Sequence, residues 1–240
     1  GKMDEKEALL LKKRLAELER RSSEGGYALY SDFLDLYGQD IFLSQNPSGL
    51  LLGGYGDAER KIACFFGQKP PISFVSVTPK NKKFTPSFSH RDILGALMGL
   101  GIRRETLGDI AVGDGGAVVI CLDKVADFII ENLTSVGRTA VLCEICQNPD
   151  LDFRRSAEQL TVFTSSTRAD ALVAAVYRLS RNDAVKLIDG QKVFAAGRMV
   201  TSRSKEIPKN VPVSVRGFGR FRLLSAEKTK KERLKCRVEK

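Results

Sequence analysis

The sequence predicts an α+β protein built as three small domains, and three observations point there. Residues 72–146 read as strand, helix, strand, strand, helix, strand in unbroken order. Lys69-Pro70-Pro71 and the polar stretch Asn148 to Ser156 set that block apart from its flanks. The charge is also partitioned. From Ser165 to Lys240 there are 19 Lys+Arg against 7 Asp+Glu, whereas the preceding residues carry 20 against 22. The expected domains are 1–70, mixed α/β; 71–150, the strand-helix block; and 160–240, a basic module. A length of 240 residues with 42% apolar and 28% charged side chains accommodates all three as globular pieces.

In the first domain, Leu9, Leu11, Leu15 and Leu18 stand at near-helical spacing among charges between Asp4 and Arg21, ending at Gly25-Gly26. Ser31 and Asp32 are candidate caps for a short helix through Leu36. Asn46-Pro47-Ser48-Gly49 is a turn, Leu50 to Leu52 a short strand, and Asp57 a candidate cap for a helix carrying Ile62, Ala63, Phe65 and Phe66.

The second domain starts with the alternating strand Ile72 to Thr78. A helix from His90 to Leu100 follows with Ser89 as its cap, then strands at Leu107–Val112 and Ala117–Leu122, a helix capped by Asp123, and a strand at Arg138–Cys146. This βαββαβ order is the split βαβ plan of ferredoxin-like domains, which RNA-recognition (RRM) domains share. Those domains stack bases on aromatics of the open sheet face. Here the third strand has no aromatic and the first offers only Phe74, so no single-strand reading is expected from it.

In the third domain an extended lead-in, Gln159 to Phe163, precedes helices at Asp170–Tyr177 and Arg181–Ile188. Strands follow near Lys192–Phe194, Val213–Arg216, Phe221–Leu224 and Leu234–Val238. Basic residues interleaved with a foldable apolar pattern, attached to a near-neutral body, are the electrostatic footprint of a polyanion binder. A merely solvated basic tail is the blander reading.

No apolar run approaches the ~20 residues that cross a bilayer, and Gly1 to Arg21 does not read as a secretory signal. A cytoplasmic protein is expected, with no membrane partner and no small-molecule substrate. Five cysteines without framework spacing suggest reduced thiols. Cys143-Glu-Ile-Cys146 falls in an expected strand, where positions three apart face opposite sides, so no metal and no cofactor are expected there. His90, the only histidine, is expected to be structural. Gly53-Gly54-Tyr55-Gly56 and Gly113-Asp114-Gly115-Gly116 lack the G-K-[ST] ending of a phosphate loop and read as turns. No catalytic residue is assigned.

One constellation stands out. Ser180 caps the second helix of the basic domain, so backbone N–H groups point outward beside Arg181 and Asn182, an arrangement suited to phosphate. Arg168, Arg178, Lys186, Lys192, Arg198 and Lys205 are expected to extend that surface.

Arg168-Ala-Asp-Ala-Leu-Val, Leu179-Ser180-Arg181, Ala184-Val-Lys-Leu-Ile188, Gly190-x-Lys192-Val193, Gly197 and Val213-Ser-Val-Arg-Gly217 resemble the S-four RNA-binding domain, the αL module of several RNA-binding proteins. Gly53-Gly-Tyr-Gly-Asp-Ala-Glu-Arg60, Ser89-His-Arg-Asp92 through Ile102, Gly108-Asp-Ile110 and Gly217-x-Gly-Arg-Phe221 widen the resemblance to the YlmH family over nearly the whole chain. Two turns depart from the module's pattern: Ala195-Ala196-Gly197 stands for Val-Asn-Gly, and Asn210-Val211 for Gly-Asp. The resemblance implies a non-enzymatic protein that binds structured rRNA or tRNA, associated with the large ribosomal subunit in translation quality control, ribosome rescue or assembly. The alternatives are an RNA-modifying enzyme of the pseudouridine-synthase kind anchored by the module, and a cell-division-linked interaction scaffold.

Overall fold

The structure, a computed structural model, describes residues 4–56, 58–83, 88–113, 115–147 and 159–240. The chain divides into two compact units, 1–155 and 156–240. The segments expected as the first and second domains lie together in the first unit.

Helix α1 (Glu5–Gly25) starts at Asp4, whose carboxylate accepts from the Glu7 amide at 2.7 Å while Glu7 reaches back to the Asp4 amide. This reciprocal capping box satisfies two of the donors that a helix start leaves open. Gly26, at φ 65°, ends it in the left-handed region that glycine adopts without strain.

Two expected helices of this segment are strands. Residues Leu29–Leu34 form β1, and Ser31, expected to cap a helix, accepts instead from the Ala63 amide of the neighbouring strand at 2.9 Å. The helix begins four residues later as α2 (Leu36–Gln45), capped by Asp35 through the Gly38 amide at 2.8 Å. With β2 (Leu50–Leu52), β3 (Lys61–Phe65) completes an antiparallel sheet in the order β1-β3-β2. In β3, Ile62 and Cys64 face one core and Ala63 and Phe65 another. A central strand buried on both faces reads as an unbroken apolar run, which periodicity cannot separate from a buried helix.

The next segment follows the expected plan. Its elements are β4 (Ile72–Pro79), α3 (His90–Gly99), β5 (Leu107–Gly113), β6 (Gly116–Leu122), α4 (Asp123–Asn132), the short β7 (Ser135–Val136) and β8 (Thr139–Ile145). The sheet order β5-β6-β4-β8-β7, antiparallel throughout, is the ferredoxin-like arrangement with one added edge strand. Ser89 caps α3 as expected. Asp123 is not the cap of α4. Leu122 holds that position, and Asp123 is a first-turn carboxylate accepting from the Ser73 hydroxyl at 2.5 Å.

Val75, Val77, Val119 and Cys121 pack with α3 and α4 on one face of this sheet. Ile72, Phe74, Ile120 and Leu122, on the other face, pack against Phe33, Ile62 and Cys64 of the first sheet. The surface on which an RRM domain would stack bases is therefore a sheet-to-sheet core here. Gly108 permits that approach, since a Cβ there would lie 2.7 Å from the Phe33 ring and 3.1 Å from Ile120.

The motif residues Tyr55, Arg60 and Asp109 join the two sheets. The Asp109 carboxylate accepts from the Tyr55 hydroxyl at 2.6 Å and from the Glu59 and Arg60 amides at 2.8 and 2.9 Å. The Arg60 guanidinium donates to the Leu107 carbonyl at 2.9 Å, and its burial lowers its pKa.

In the second unit, α5 (Ala169–Tyr177) and α6 (Arg181–Asp189) cover one face of a six-stranded antiparallel sheet. Its strands are β9 (Gln159–Thr164), β10 (Val193–Ala195), β11 (Arg198–Met199), β12 (Pro212–Val215), β13 (Gly219–Lys228) and β14 (Leu234–Glu239), in the order β11-β10-β12-β13-β14-β9. Leu172, Val173, Val176, Ala184 and Ile188 of the helices pack on Val193, Val213, Val215, Phe221, Leu223, Cys236 and Val238. Alternate strand residues thus point to the helices and the others away from them.

The first departure from the family pattern is visible here. Ala196 and Gly197 form the two-residue turn between β10 and β11, both at positive φ, 50° and 74°. Such a turn favours Asn-Gly, and a left-handed alanine costs roughly 1–2 kcal/mol. The fold keeps the turn geometry and carries the strain. Ala196→Asn is expected to raise stability by about 0.5–1 kcal/mol, measured as an increased denaturant midpoint. An unchanged midpoint would show that the turn is not strained.

Candidate nucleic-acid interface

Arg168, Arg181 and Lys205 of the expected site residues meet at Asp170, a carboxylate to which the sequence assigned no role. Asp170, in the first turn of α5, has a buried side chain. It accepts from the Arg168 guanidinium at 3.0 Å and from Arg181 at 2.9 Å, and it also accepts from the Ala171 amide at 2.8 Å. Burial alone would raise its pKa, but the hydrogen bonds and charges of Arg181 and Arg168 outweigh burial and hold it below the usual carboxylate range. The two arginine side chains remain 37% and 47% exposed. Asp170 therefore acts as a post that orients two guanidinium groups whose outer N–H donors still face solvent.

The segment before β12 completes this cluster. The Lys205 carbonyl accepts from the Ala169 amide at 2.8 Å and the Arg203 carbonyl from the Asp170 amide at 3.2 Å. Arg168 and Glu206 form an isolated antiparallel bridge. Lys205 is thereby held beside the start of α5, its side chain exposed. Arg178, also exposed, terminates α5 in the left-handed region at φ 54° and lies three residues before Arg181.

The start of α6 differs from the expectation. Ser180 does cap it, accepting from the Asp183 amide at 3.0 Å, but its hydroxyl also donates to the Asp183 carboxylate at 2.8 Å. The first turn already carries an anion of the protein's own, which takes up part of the positive helix end. Ser180 is thus the cap of α6 with its hydroxyl engaged by Asp183, and Asn182 beside it is exposed. Lys186 contacts Asp183 at 3.7 Å. Lys192 and Arg198 are exposed, at the entry to β10 and at the β10–β11 turn. The structure so brings Arg168, Arg181 and Lys205 together around Asp170, with Arg178 at the adjoining helix end. Lys186 is on α6, Lys192 at the entry to β10 and Arg198 at the start of β11.

Because the folded-state pKa of Asp170 is depressed, its pairing stabilises the unit above the ordinary carboxylate value and is lost as the pH falls through the lowered one. Asp170→Ala is expected to cost about 1–3 kcal/mol. The estimate lies below the usual 3–5 for breaking a buried pair because both arginines are partly solvated. Denaturant unfolding at pH 7 checks it, and the difference from the parent should shrink below pH 4. A loss that persists undiminished at pH 2 would contradict the ionic account.

Cys143 is buried and its thiol is pushed up to about 11 by desolvation, while it contacts the Leu133 carbonyl at 3.3 Å. Among the described residues no three His, Cys, Asp or Glu side chains come together as a metal site, and no helix is long and apolar enough to cross a membrane.

Sequence reasoning also passed over the sheet face turned away from α5 and α6. Arg220, Arg222, Lys235 and Arg237 alternate there with the buried Phe221, Leu223, Cys236 and Val238. The period-two pattern Arg220-Phe-Arg222-Leu and Lys235-Cys-Arg237-Val was the available signal.

Fold and charge together are those of a modular polyanion-binding protein, in which a ferredoxin-like segment accompanies a basic helix-pair module. Comparison with known proteins makes the assignment specific. Residues 72–149 match the family described as the putative RNA-binding domain in YlmH. The chain is 34% identical over 220 residues to the Ribosome-associated protein quality control protein P2 of Bacillus subtilis, covering 87% of this chain and 86% of that protein. It also shares 17% identity and a TM-score of 0.47 with the solved structure titled cell division protein ylmH from Streptococcus pneumoniae, over 59% of this chain and 92% of that one. The chain belongs to the YlmH family.

Proposed function

We propose that this protein binds structured rRNA or tRNA through its C-terminal unit, in association with the large ribosomal subunit, and serves translation quality control, ribosome rescue or assembly without catalysing a reaction. The observation that carries the reading is the arginine pair held on Asp170, with Lys205 exposed beside the start of α5 and Arg178 exposed at its end. Guanidinium groups fixed by a buried carboxylate lose little freedom on meeting a phosphate, and Arg suits its geometry. The name of the Bacillus subtilis relative supports the ribosome as the setting. The covered outer face of the ferredoxin-like sheet favours the C-terminal unit as the principal RNA contact.

Gradient sedimentation tests the reading. The full chain, mixed with purified ribosomal subunits in low salt, is expected to travel with the large subunit and to be released as salt rises. A chain that stays at the top of the gradient at every salt concentration would overturn the ribosomal part of the proposal.

A further inference from the structure

We propose that the sheet face of the C-terminal unit opposite the helices is a second RNA surface, one that takes an unpaired strand. The inference rests on the RNA-binding reading above and adds a second site and ligand class to it.

The strand register sets out this face. Phe194 of β10 pairs with Ser214 of β12, and Ser214 with Arg220 of β13. Arg222 pairs with Glu239 of β14, and Lys235 and Arg237 pair with Phe163 and Thr161 of β9. Antiparallel partners share a face, so these side chains lie together, away from the helix-side core. At ~4.8 Å per strand, the five strands from β10 to β9 span about 19 Å.

Charge and aromatic surface coincide there. Arg216 lies over the Phe194 ring, its guanidinium carbon 5.5 Å from the centroid. Phe163, at the opposite edge, is 49% exposed. Arg216, Arg222, Lys235 and Arg237 form no ion pair among the described residues, and Arg237 is positioned by a 2.8 Å hydrogen bond to Gln159. Glu227 and Glu239 are the carboxylates at facing register positions, and the cations outnumber them. Such a face attracts a polyanion.

An aromatic edge and an arginine stacked on a ring add what a phosphate-only surface lacks. Bases of an unpaired strand stack on aromatic rings and guanidinium planes, whereas bases of a duplex are already stacked on each other. On the helix side the aromatic contacts, Tyr177 with Phe218 and with Lys240, lie at the end of α5 and not at its start, where Asp170 holds the two arginines. The two faces of one small unit are therefore suited to different states of RNA, folded on the helices and unpaired on the sheet.

The experiment uses the full chain and two RNAs of equal length, one hairpin and one unstructured strand, in binding titrations from 50 to 200 mM salt. The sheet variant carries Arg222→Gln with Arg237→Gln, both exposed positions, and the helix variant carries Lys192→Gln with Lys205→Gln. The sheet variant is expected to bind the unstructured strand at least tenfold more weakly, with a log–log salt slope shallower by roughly 1.4, and to bind the hairpin within twofold of the parent. The helix variant is expected to do the reverse. Far-ultraviolet circular dichroism and melting confirm that each variant is folded. If the parent binds the hairpin but not the unstructured strand, or if the sheet variant loses both RNAs equally, this inference fails while the proposed function stands. A parent that binds neither RNA overturns both.

Discussion

Replacing Lys192 and Lys205 together by glutamate is expected to weaken binding to a structured RNA by roughly 100-fold at low salt, because two phosphate contacts are lost and two repulsions are introduced. Both side chains are exposed, and neither position disturbs the Asp170 pairs. The structure makes this a cleaner test than changing Arg181. A glutamate there would stand beside the buried Asp170 carboxylate, now left with Arg168 as its only guanidinium partner, and would destabilise the unit as well as the RNA complex. The loss should be uniform across RNA sequences, since phosphates carry no base identity. It should shrink as salt rises. A double variant that binds within twofold of the parent at 50 mM salt would remove the helix-pair surface from the account.

Asp109→Ala is expected to be the most damaging single change to the first unit. Its carboxylate takes three hydrogen bonds, from Tyr55, Glu59 and Arg60. Each bond to a charged group is worth about 1.5–3 kcal/mol, and the three are not additive, so a total of about 3–5 kcal/mol follows. For a unit of this size that corresponds to roughly 6–20 °C in melting temperature. Differential scanning calorimetry of the full chain reads it. RNA binding, measured where the variant remains folded, should be unchanged, because none of these residues belongs to the basic module. A variant that melts like the parent would show that the motif has some other role.

That prediction also shows what the family motif reports. Gly53-Gly54-Tyr55 through Arg60 and Gly108-Asp109 carry much of the resemblance, yet in the structure Tyr55, Glu59, Arg60 and Asp109 of these motifs fasten one sheet to another. The residues that make a family legible need not be those that bind its ligand.

The βαββαβ segment was readable because β4 and β8 alternate, because Ser89 and Asp92 cap α3 reciprocally, and because glycine and proline breaks bound its elements. The segment at 29–65 was not, for physical reasons. Ser31 looks like a cap but accepts a hydrogen bond from the neighbouring strand, and β3 is apolar on both faces. In the basic module, helix positions and the exposed cations were legible from spacing. The role of Asp170 was not, because its two guanidinium partners are two residues before it and eleven after it, and only the packing of α5 on α6 brings them together. The basic sheet face is visible as alternation, but only the strand register shows that Arg220, Arg222, Lys235 and Arg237 share one face.

The central claim is that RNA contacts this protein through the C-terminal unit, and crosslink mapping tests it most directly. Full-length protein is irradiated in cells, digested, and its RNA-bearing peptides are identified by mass spectrometry. The account predicts that crosslinks fall within 168–205 and on the strands from 212 to 239, with few or none between residues 4 and 147. Crosslinks concentrated on the ferredoxin-like segment, with the C-terminal unit bare, would contradict it.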